Sequence, residues 1–96
     1  MKIRRIMCCC GSGLGSSMLV KMNVEKVLKK MAVSGIDIIH TSVSDAVRGA
    51  ADLFVVGGDL VDFTKNLEHV IYLDNIVSLP ELESKLTAFW TENNVE

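Results

Sequence analysis

The sequence passes from an apolar run into a helical pattern through a stretch of small residues, Cys10-Gly11-Ser12-Gly13-Leu14-Gly15-Ser16-Ser17. In such a stretch the glycines leave backbone N–H groups free to point at one spot, and the following helix adds the positive end of its dipole there. An anion at that spot is stabilised. Because the stretch begins with a cysteine, it predicts an anion-binding, P-loop-like turn that carries its own nucleophile.

The composition predicts one compact domain over residues 1–96. Hydrophobic residues make up 49% of the chain, which is enough for a single core, and no Pro/Gly/Ser-rich linker divides it. Ten basic residues stand against 12 acidic ones, so no basic excess indicates a nucleic-acid partner. The apolar runs are far shorter than the roughly 18 residues of a membrane span, and none follows the basic N-terminus at secretory length. We therefore expect a cytoplasmic protein that does not itself span a membrane.

The three cysteines, Cys8, Cys9 and Cys10, are consecutive. Consecutive side chains alternate across a strand, so they cannot surround one metal ion tetrahedrally, and no C-x-x-C pair is present. This pattern predicts reduced thiols, with no metal and no cofactor. Free cysteines are usually buried, so Cys8 and Cys9 are interpreted as small core residues of a strand, whereas Cys10 stands where the strand ends.

Hydrophobic periodicity predicts strands that alternate with helices. The strands are expected at 3–9, 36–43, 52–56 and 69–73. Helices are expected at 16–34, over 44–49, from about residue 59 to residue 67, and after Ser78-Leu79-Pro80-Glu81, which has capping-box spacing. Strands connected in this way pair in parallel through right-handed crossovers. The prediction is an α/β fold with a small parallel sheet of order 2-1-3-4 and helices on both faces.

Ligands of such sheets bind beyond the carboxyl ends of the strands, at the point next to strand one where the turn at Cys10 lies. His40 is expected near this edge, either as a group that orients phosphate or serves as a base, or in a purely local role. Asp59 follows strand three and is either an acid for a leaving group or the start of a short helix. His69 begins strand four, so it is expected at the opposite edge and is not a catalytic candidate.

A thiol ringed by amides at a helix N-terminus is expected to have its pKa lowered from about 8.5, which makes it a nucleophile at neutral pH. The same amides fit the oxygens of a phosphoryl group on sulfur and stabilise it during in-line transfer without a metal. The predicted phosphate-binding residues are Gly11, Ser12, Gly13, Leu14, Gly15, Ser16 and Ser17. Ser16 or Ser17 also suits a helix cap, and a tight turn with a buried cysteine is the purely structural alternative.

The spacing of this stretch can be compared with two other known loop types, those of cysteine phosphatases and of dinucleotide-binding proteins. Cysteine phosphatases use Cys-x5-Arg-Ser/Thr, and here Ser17 is in register but Ser16 stands where the arginine belongs. That arginine clamps phosphate through two hydrogen bonds, so its absence argues against efficient hydrolysis and favours a stable phosphocysteine. Dinucleotide-binding loops follow G-x-G-x-x-G, but the third glycine here, Gly15, comes one position early, and the chain is too short for a complete dinucleotide fold.

The stretch from Cys10 to Met18, followed by the helix of Lys21, Met22 and Val24, resembles the IIB components of the bacterial phosphoenolpyruvate-dependent sugar phosphotransferase system. Within the lactose/galactitol/ascorbate IIB-like group, it is most similar to the ascorbate-type branch. The resemblance covers the length and element order, and its most specific part is the loop with the first helix. It implies a fold similar to the low-molecular-weight phosphatase-like and IIB folds. Cys8 and Cys9 depart from the family pattern, which usually has other small or apolar residues before the active cysteine.

The resemblance implies a phosphotransferase in which Cys10 accepts phosphate from a phosphohistidine of a IIA partner. Cys10 then passes it to a carbohydrate, of ascorbate or sugar-alcohol type, held by the membrane IIC partner with which the chain associates peripherally. The alternatives are a cysteine phosphatase or arsenate reductase-like enzyme and a non-catalytic anion-binding regulatory module. Partner docking is expected around the loop, on exposed parts of Leu14, Met18, Met22 and residues 57–60, although the methionines also suit core packing.

Overall fold

The computed structural model describes residues 2–11 and 14–95, and its four strands form one parallel sheet of order β2-β1-β3-β4. The predicted fold class and strand order are therefore confirmed. The elements in chain order are β1 (Arg5–Cys9), α1 (Leu14–Lys30), β2 (Asp37–Thr41), the 3₁₀ helix η1 (Val43–Asp45), β3 (Leu53–Gly57), the 3₁₀ helix η2 (Gly58–Phe63), β4 (Val70–Leu73) and α2 (Leu79–Glu92).

The side chains of β1 alternate between two cores, one on each face of the sheet. Ile6 and Cys8 belong to the larger core, which α1 and α2 cover. Met7 and Cys9 belong to the smaller core on the other face. That second face is closed by the connecting segments, through Ala46, Leu60 and Leu67. Helical segments therefore cover both faces as predicted, but the two long helices share one face.

Strand β1 begins at Arg5, two residues later than predicted, because the Asp52 side chain accepts the hydrogen bonds of the first backbone N–H groups. Its Oδ2 accepts hydrogen bonds from the backbone N–H groups of Arg4 at 2.8 Å and Arg5 at 3.0 Å. The Asp52 N–H in turn donates to the Arg5 carbonyl at 3.0 Å. This clasp ties the start of β1 to the start of β3 at the amino edge of the sheet.

Helix α1 ends at Lys30, whereas the prediction extended it to residue 34. Ala32 adopts a left-handed conformation with φ of 60°. The Val33 N–H donates to the Leu28 carbonyl at 2.9 Å, and the Ala32 N–H donates to the Lys29 carbonyl at 3.1 Å. These two bonds form a Schellman motif, which satisfies the last carbonyls of the helix and turns the chain toward β2.

Helix α2 begins as the capping-box spacing predicts, but with a different partner for the acidic residue. Ser78 Oγ accepts from the Glu81 N–H at 3.3 Å. The Glu81 carboxylate accepts from the N–H groups of Asp74 at 2.7 Å and Asn75 at 2.9 Å, and from Lys85 Nζ at 2.8 Å. The hydrogen bond from Lys85, followed by those two backbone bonds, lowers the pKa of Glu81 to about 2. Glu81 thus fixes the loop between β4 and α2.

In the described part of the chain, no helix combines the length and the apolar character needed to cross a membrane.

Candidate functional site

Cys10 follows β1 directly, at the carboxyl edge of the sheet, and α1 begins four residues later at Leu14. The structure thus places the cysteine at the strand-to-helix junction that the sequence predicted. Of the predicted phosphate-binding residues, Gly11 and Gly15 are exposed, Ser16 is half-buried and Ser17 is buried. Ser12, Gly13 and the side chain of Leu14 lie outside the described residues.

The Cys10 side chain is only 6% exposed and belongs to the core beneath α1 and α2. Burial, and secondly the negative charge of Asp59, raise the pKa of the Cys10 thiol above its ordinary value. The prediction of a lowered pKa for Cys10 is therefore wrong. The helix dipole and the loop amides favour a lowered pKa, but burial of the thiol and the nearby carboxylate of Asp59 outweigh them.

Cys8 and Cys9 are fully buried, as predicted for core residues of a strand. Burial raises the pKa of Cys8 strongly, and burial followed by the neighbouring Cys10 raises the pKa of Cys9 to about 11. The Cys9 thiol donates a hydrogen bond to the carbonyl of Ser42 at 3.8 Å. Both thiols therefore stay protonated and shielded, and Cys10 is the thiol that lies at the carboxyl edge of the sheet.

The carboxylate of Asp59 lies over two glycines at this edge. A Cβ atom at Gly57 would stand 2.5 Å from Asp59 Oδ1, and one at Gly11 would overlap Asp59 Oδ2. Asp59 belongs to the first turn of η2, so the helix-start interpretation is correct. The carboxylate nevertheless reaches across to the residue that follows Cys10. Sequence reasoning missed this contact, because the glycines signalled a turn but not which side chain fills the space above them.

Ser17 and His40 connect the first turn of α1 to the end of β2. Ser17 Oγ and His40 Nδ1 lie 3.3 Å apart, within hydrogen-bond distance, and the histidine tautomer decides which of them donates. His40 also pairs in the sheet with Cys8 on β1. His40 is therefore near the predicted edge, where it holds the helix that carries the loop.

A groove beside Asp59 continues the site along the carboxyl edge. Its volume is about 490 Å³, and it is lined by Gly57, Gly58, Asp59, Leu73, Asp74, Asn75 and Ile76. Another cleft lies at the amino edge, between Arg48, Glu68 and His69. His69 is thus at the far side of the sheet from Cys10, as predicted, where its carbonyl accepts from the Phe54 N–H at 2.9 Å.

The side chains of Met18 and Met22 are 51% and 45% exposed, as the docking hypothesis expected. Leu60 is only 4% exposed, so its inclusion in a docking surface is wrong. It is buried because it covers the second face of the sheet. The exposed large apolar side chains of the described residues lie in the two α-helices and in the segments that connect the strands, namely Met18, Leu19, Met22, Val47, Val61, Phe63, Val77 and Leu79.

The sequence matches the family described as the lactose/cellobiose-specific IIB subunit of the PTS system, over residues 5–88. None of the curated proteins with which it was compared matches it. A parallel sheet of order 2-1-3-4 with a cysteine loop after its first strand is consistent with this match. The chain belongs to the IIB subunit family of the sugar phosphotransferase system. Membership implies IIA and IIC partners in general, and it does not single out the ascorbate-type branch.

Proposed function

We propose that the chain is a phosphoryl carrier and that Cys10 holds the phosphoryl group. The observation that supports this most directly is the position of Cys10, between the end of β1 and the start of α1, in a chain of the IIB family. The other two thiols are fully buried within the sheet. Of the three cysteines, Cys10 is the one followed directly by an exposed residue, Gly11.

The phosphoryl group is transferred in two steps, and neither step requires a cofactor. Cys10 Sγ attacks the phosphorus of a phosphohistidine on the IIA partner, and the P–N bond breaks with its electron pair returning to the imidazole nitrogen. The thiol proton ends on that nitrogen. In the second step a sugar hydroxyl oxygen attacks the phosphorus, the S–P bond breaks toward sulfur, and the hydroxyl proton ends on Sγ. Backbone amides of the loop would stabilise the charge on the phosphoryl oxygens in both steps.

The phosphate-binding residues proposed for this role run from Gly11 to Ser17, the stretch that follows the nucleophile. The fixed end of this stretch is Ser17, which is buried and lies within hydrogen-bond distance of His40. We further propose that residues 1–96 act as one cytoplasmic IIB domain that associates peripherally with the IIC partner.

The transported compound is proposed to be an ascorbate-type sugar acid, with a sugar alcohol such as galactitol as the second candidate. The resemblance of the loop and first helix supports this branch, whereas the family description names lactose and cellobiose. The test is transfer from phosphorylated chain to each compound in vesicles that contain the cognate IIC protein. Phosphorylation of lactose or cellobiose alone would contradict the ascorbate-type proposal.

A carrier and a phosphatase differ in where the phosphate goes. Ser16 stands where a cysteine phosphatase has its arginine, so we expect phosphorylated chain to keep its phosphate in buffer and to release it as sugar phosphate once IIC vesicles and sugar are added. The measurement follows inorganic phosphate and sugar phosphate separately, with a true cysteine phosphatase as positive control. Multiple turnovers of a generic phosphate ester by the chain alone would favour the phosphatase alternative instead.

A further inference from the structure

Asp59 is the acidic side chain that reaches the residue after the nucleophile. Its two carboxylate oxygens lie against Gly11 and Gly57, so the group is positioned between the Cys10 loop and the end of β3. Both positions must lack a side chain for the carboxylate to fit there. None of the lysines or arginines in the described ranges forms an ion pair with it. The negative charge of Asp59 is therefore not compensated by a described cation.

The charge of Asp59 acts on a sulfur that is already poorly solvated. Cys10 is 6% exposed, and in such surroundings the interaction between two charges is stronger than in bulk water. Asp59 is also the charged group that contributes to the raised pKa of Cys10. The other charged side chains near the three thiols act on Cys8 and Cys9. Lys21 and Glu25 act on Cys8, and Asp45 acts on Cys9.

We propose that Asp59 is a positioning residue whose fixed negative charge disfavours negative charge on Cys10 Sγ, both as thiolate and as phosphocysteine. At rest the nucleophile is then held as the neutral thiol. After phosphorylation the dianion on sulfur faces the carboxylate, so the phosphoryl group is given up more readily to the sugar hydroxyl. The second statement rests on the proposed carrier function, whereas the first does not.

The first test measures the Cys10 thiol in the protein alone. Asp59→Asn keeps the shape of the side chain and removes its charge, and alkylation of Cys10 by iodoacetamide at fixed pH reports the thiolate fraction. We expect alkylation to be at least about threefold faster in the variant, equivalent to about half a unit of pKa. The matched control is Asp62→Asn on the same 3₁₀ helix, where Asp62 is exposed and forms an ion pair with Lys65 at 3.3 Å.

The result that overturns the first statement is an alkylation rate in Asp59→Asn equal to that of Asp62→Asn. A full pH profile of alkylation accompanies both variants, because a merely looser loop would raise the rate at every pH without moving the midpoint. A midpoint that does not move to lower pH in Asp59→Asn overturns the proposal in the same way. Circular dichroism of both variants shows that the comparison is made on folded protein.

The second test measures the phosphoryl equilibrium between the IIA partner and the chain. We expect Asp59→Asn to shift this equilibrium toward phosphocysteine at least about threefold relative to Asp62→Asn, because a like charge is removed from beside the dianion. An unchanged equilibrium would overturn the second statement. If wild type forms no adduct with an active donor, the proposed carrier function fails together with the second statement, and the alkylation comparison still decides the first.

Discussion

The three adjacent thiols differ in environment although they are neighbours in sequence. Cys8 and Cys9 point to opposite faces of a central strand and are fully buried, whereas Cys10 stands at the strand end beside Gly11 and Asp59. The alternation of a strand made the burial of the first two predictable. The raised pKa of Cys10 was not predictable, because it arises from tertiary burial and from a carboxylate 49 residues away in the chain.

Alkylation of the native protein is expected to label Cys10 before Cys8 or Cys9. Burial keeps the latter two protonated and inaccessible, and the pKa of Cys9 is about 11. Because the pKa of Cys10 is also raised, its labelling is slow at neutral pH and accelerates as the pH rises. Peptide mapping after timed iodoacetamide treatment checks the order, with all three cysteines labelled in denaturant as the control. Labelling of Cys8 or Cys9 first in folded protein would contradict it.

Both α-helices end in the same motif, with a left-handed residue that is not glycine. Ala32 has φ of 60° after α1, and Asn94 has φ of 49° after α2. The Val95 N–H donates to the Trp90 carbonyl at 3.1 Å, as the Val33 N–H does to the Leu28 carbonyl at 2.9 Å. Sequence rules look for glycine or asparagine at this position. Alanine gives no such signal, so the sequence pattern predicts an end of α1 that is four residues too late.

Ala32→Gly is expected to stabilise the protein by about 1 kcal/mol, because glycine adopts the left-handed conformation without the steric cost that alanine bears. Ala32 is exposed, so no packing is lost. Asn94→Gly is the matched control and is expected to change stability by less than about 0.5 kcal/mol, since asparagine tolerates this conformation. Urea unfolding of the three proteins measures both differences. A destabilised Ala32→Gly variant would contradict the assigned helix end.

The strand order and the edge that carries the site follow from a regular alternation of strands and helices, which has few allowed topologies. The sequence therefore predicted that Cys10 and His40 lie near one edge and His69 at the other, and the structure agrees. The burial of Leu60 and the reach of Asp59 over Gly11 depend on how a short 3₁₀ helix turns after β3. Periodicity carries no signal for so short an element.

Two exposed methionines, Met18 and Met22, lie in the half of α1 that begins after the Cys10 loop, where a IIA partner is proposed to dock. Lys21 lies between them on α1. We expect Lys21→Glu to slow phosphoryl transfer from the IIA partner several-fold, because the reversed charge lies within the proposed docking surface. Lys29→Glu is the control, since both lysines are four residues from Glu25 but Lys29 is near the far end of the helix. Equal transfer rates in both variants would remove Lys21 from the surface.

The central claim is that Cys10 carries the phosphoryl group. Intact-protein mass spectrometry at neutral pH, after incubation with phosphoenolpyruvate, the general phosphotransferase proteins and a matching IIA protein, tests it on wild type and on the variants Cys10→Ser, Cys9→Ser and Cys8→Ser. We predict one phosphoryl adduct on wild type, Cys9→Ser and Cys8→Ser, and none on Cys10→Ser. An adduct that persists on folded Cys10→Ser, or none on wild type with a donor proven active, would contradict the claim.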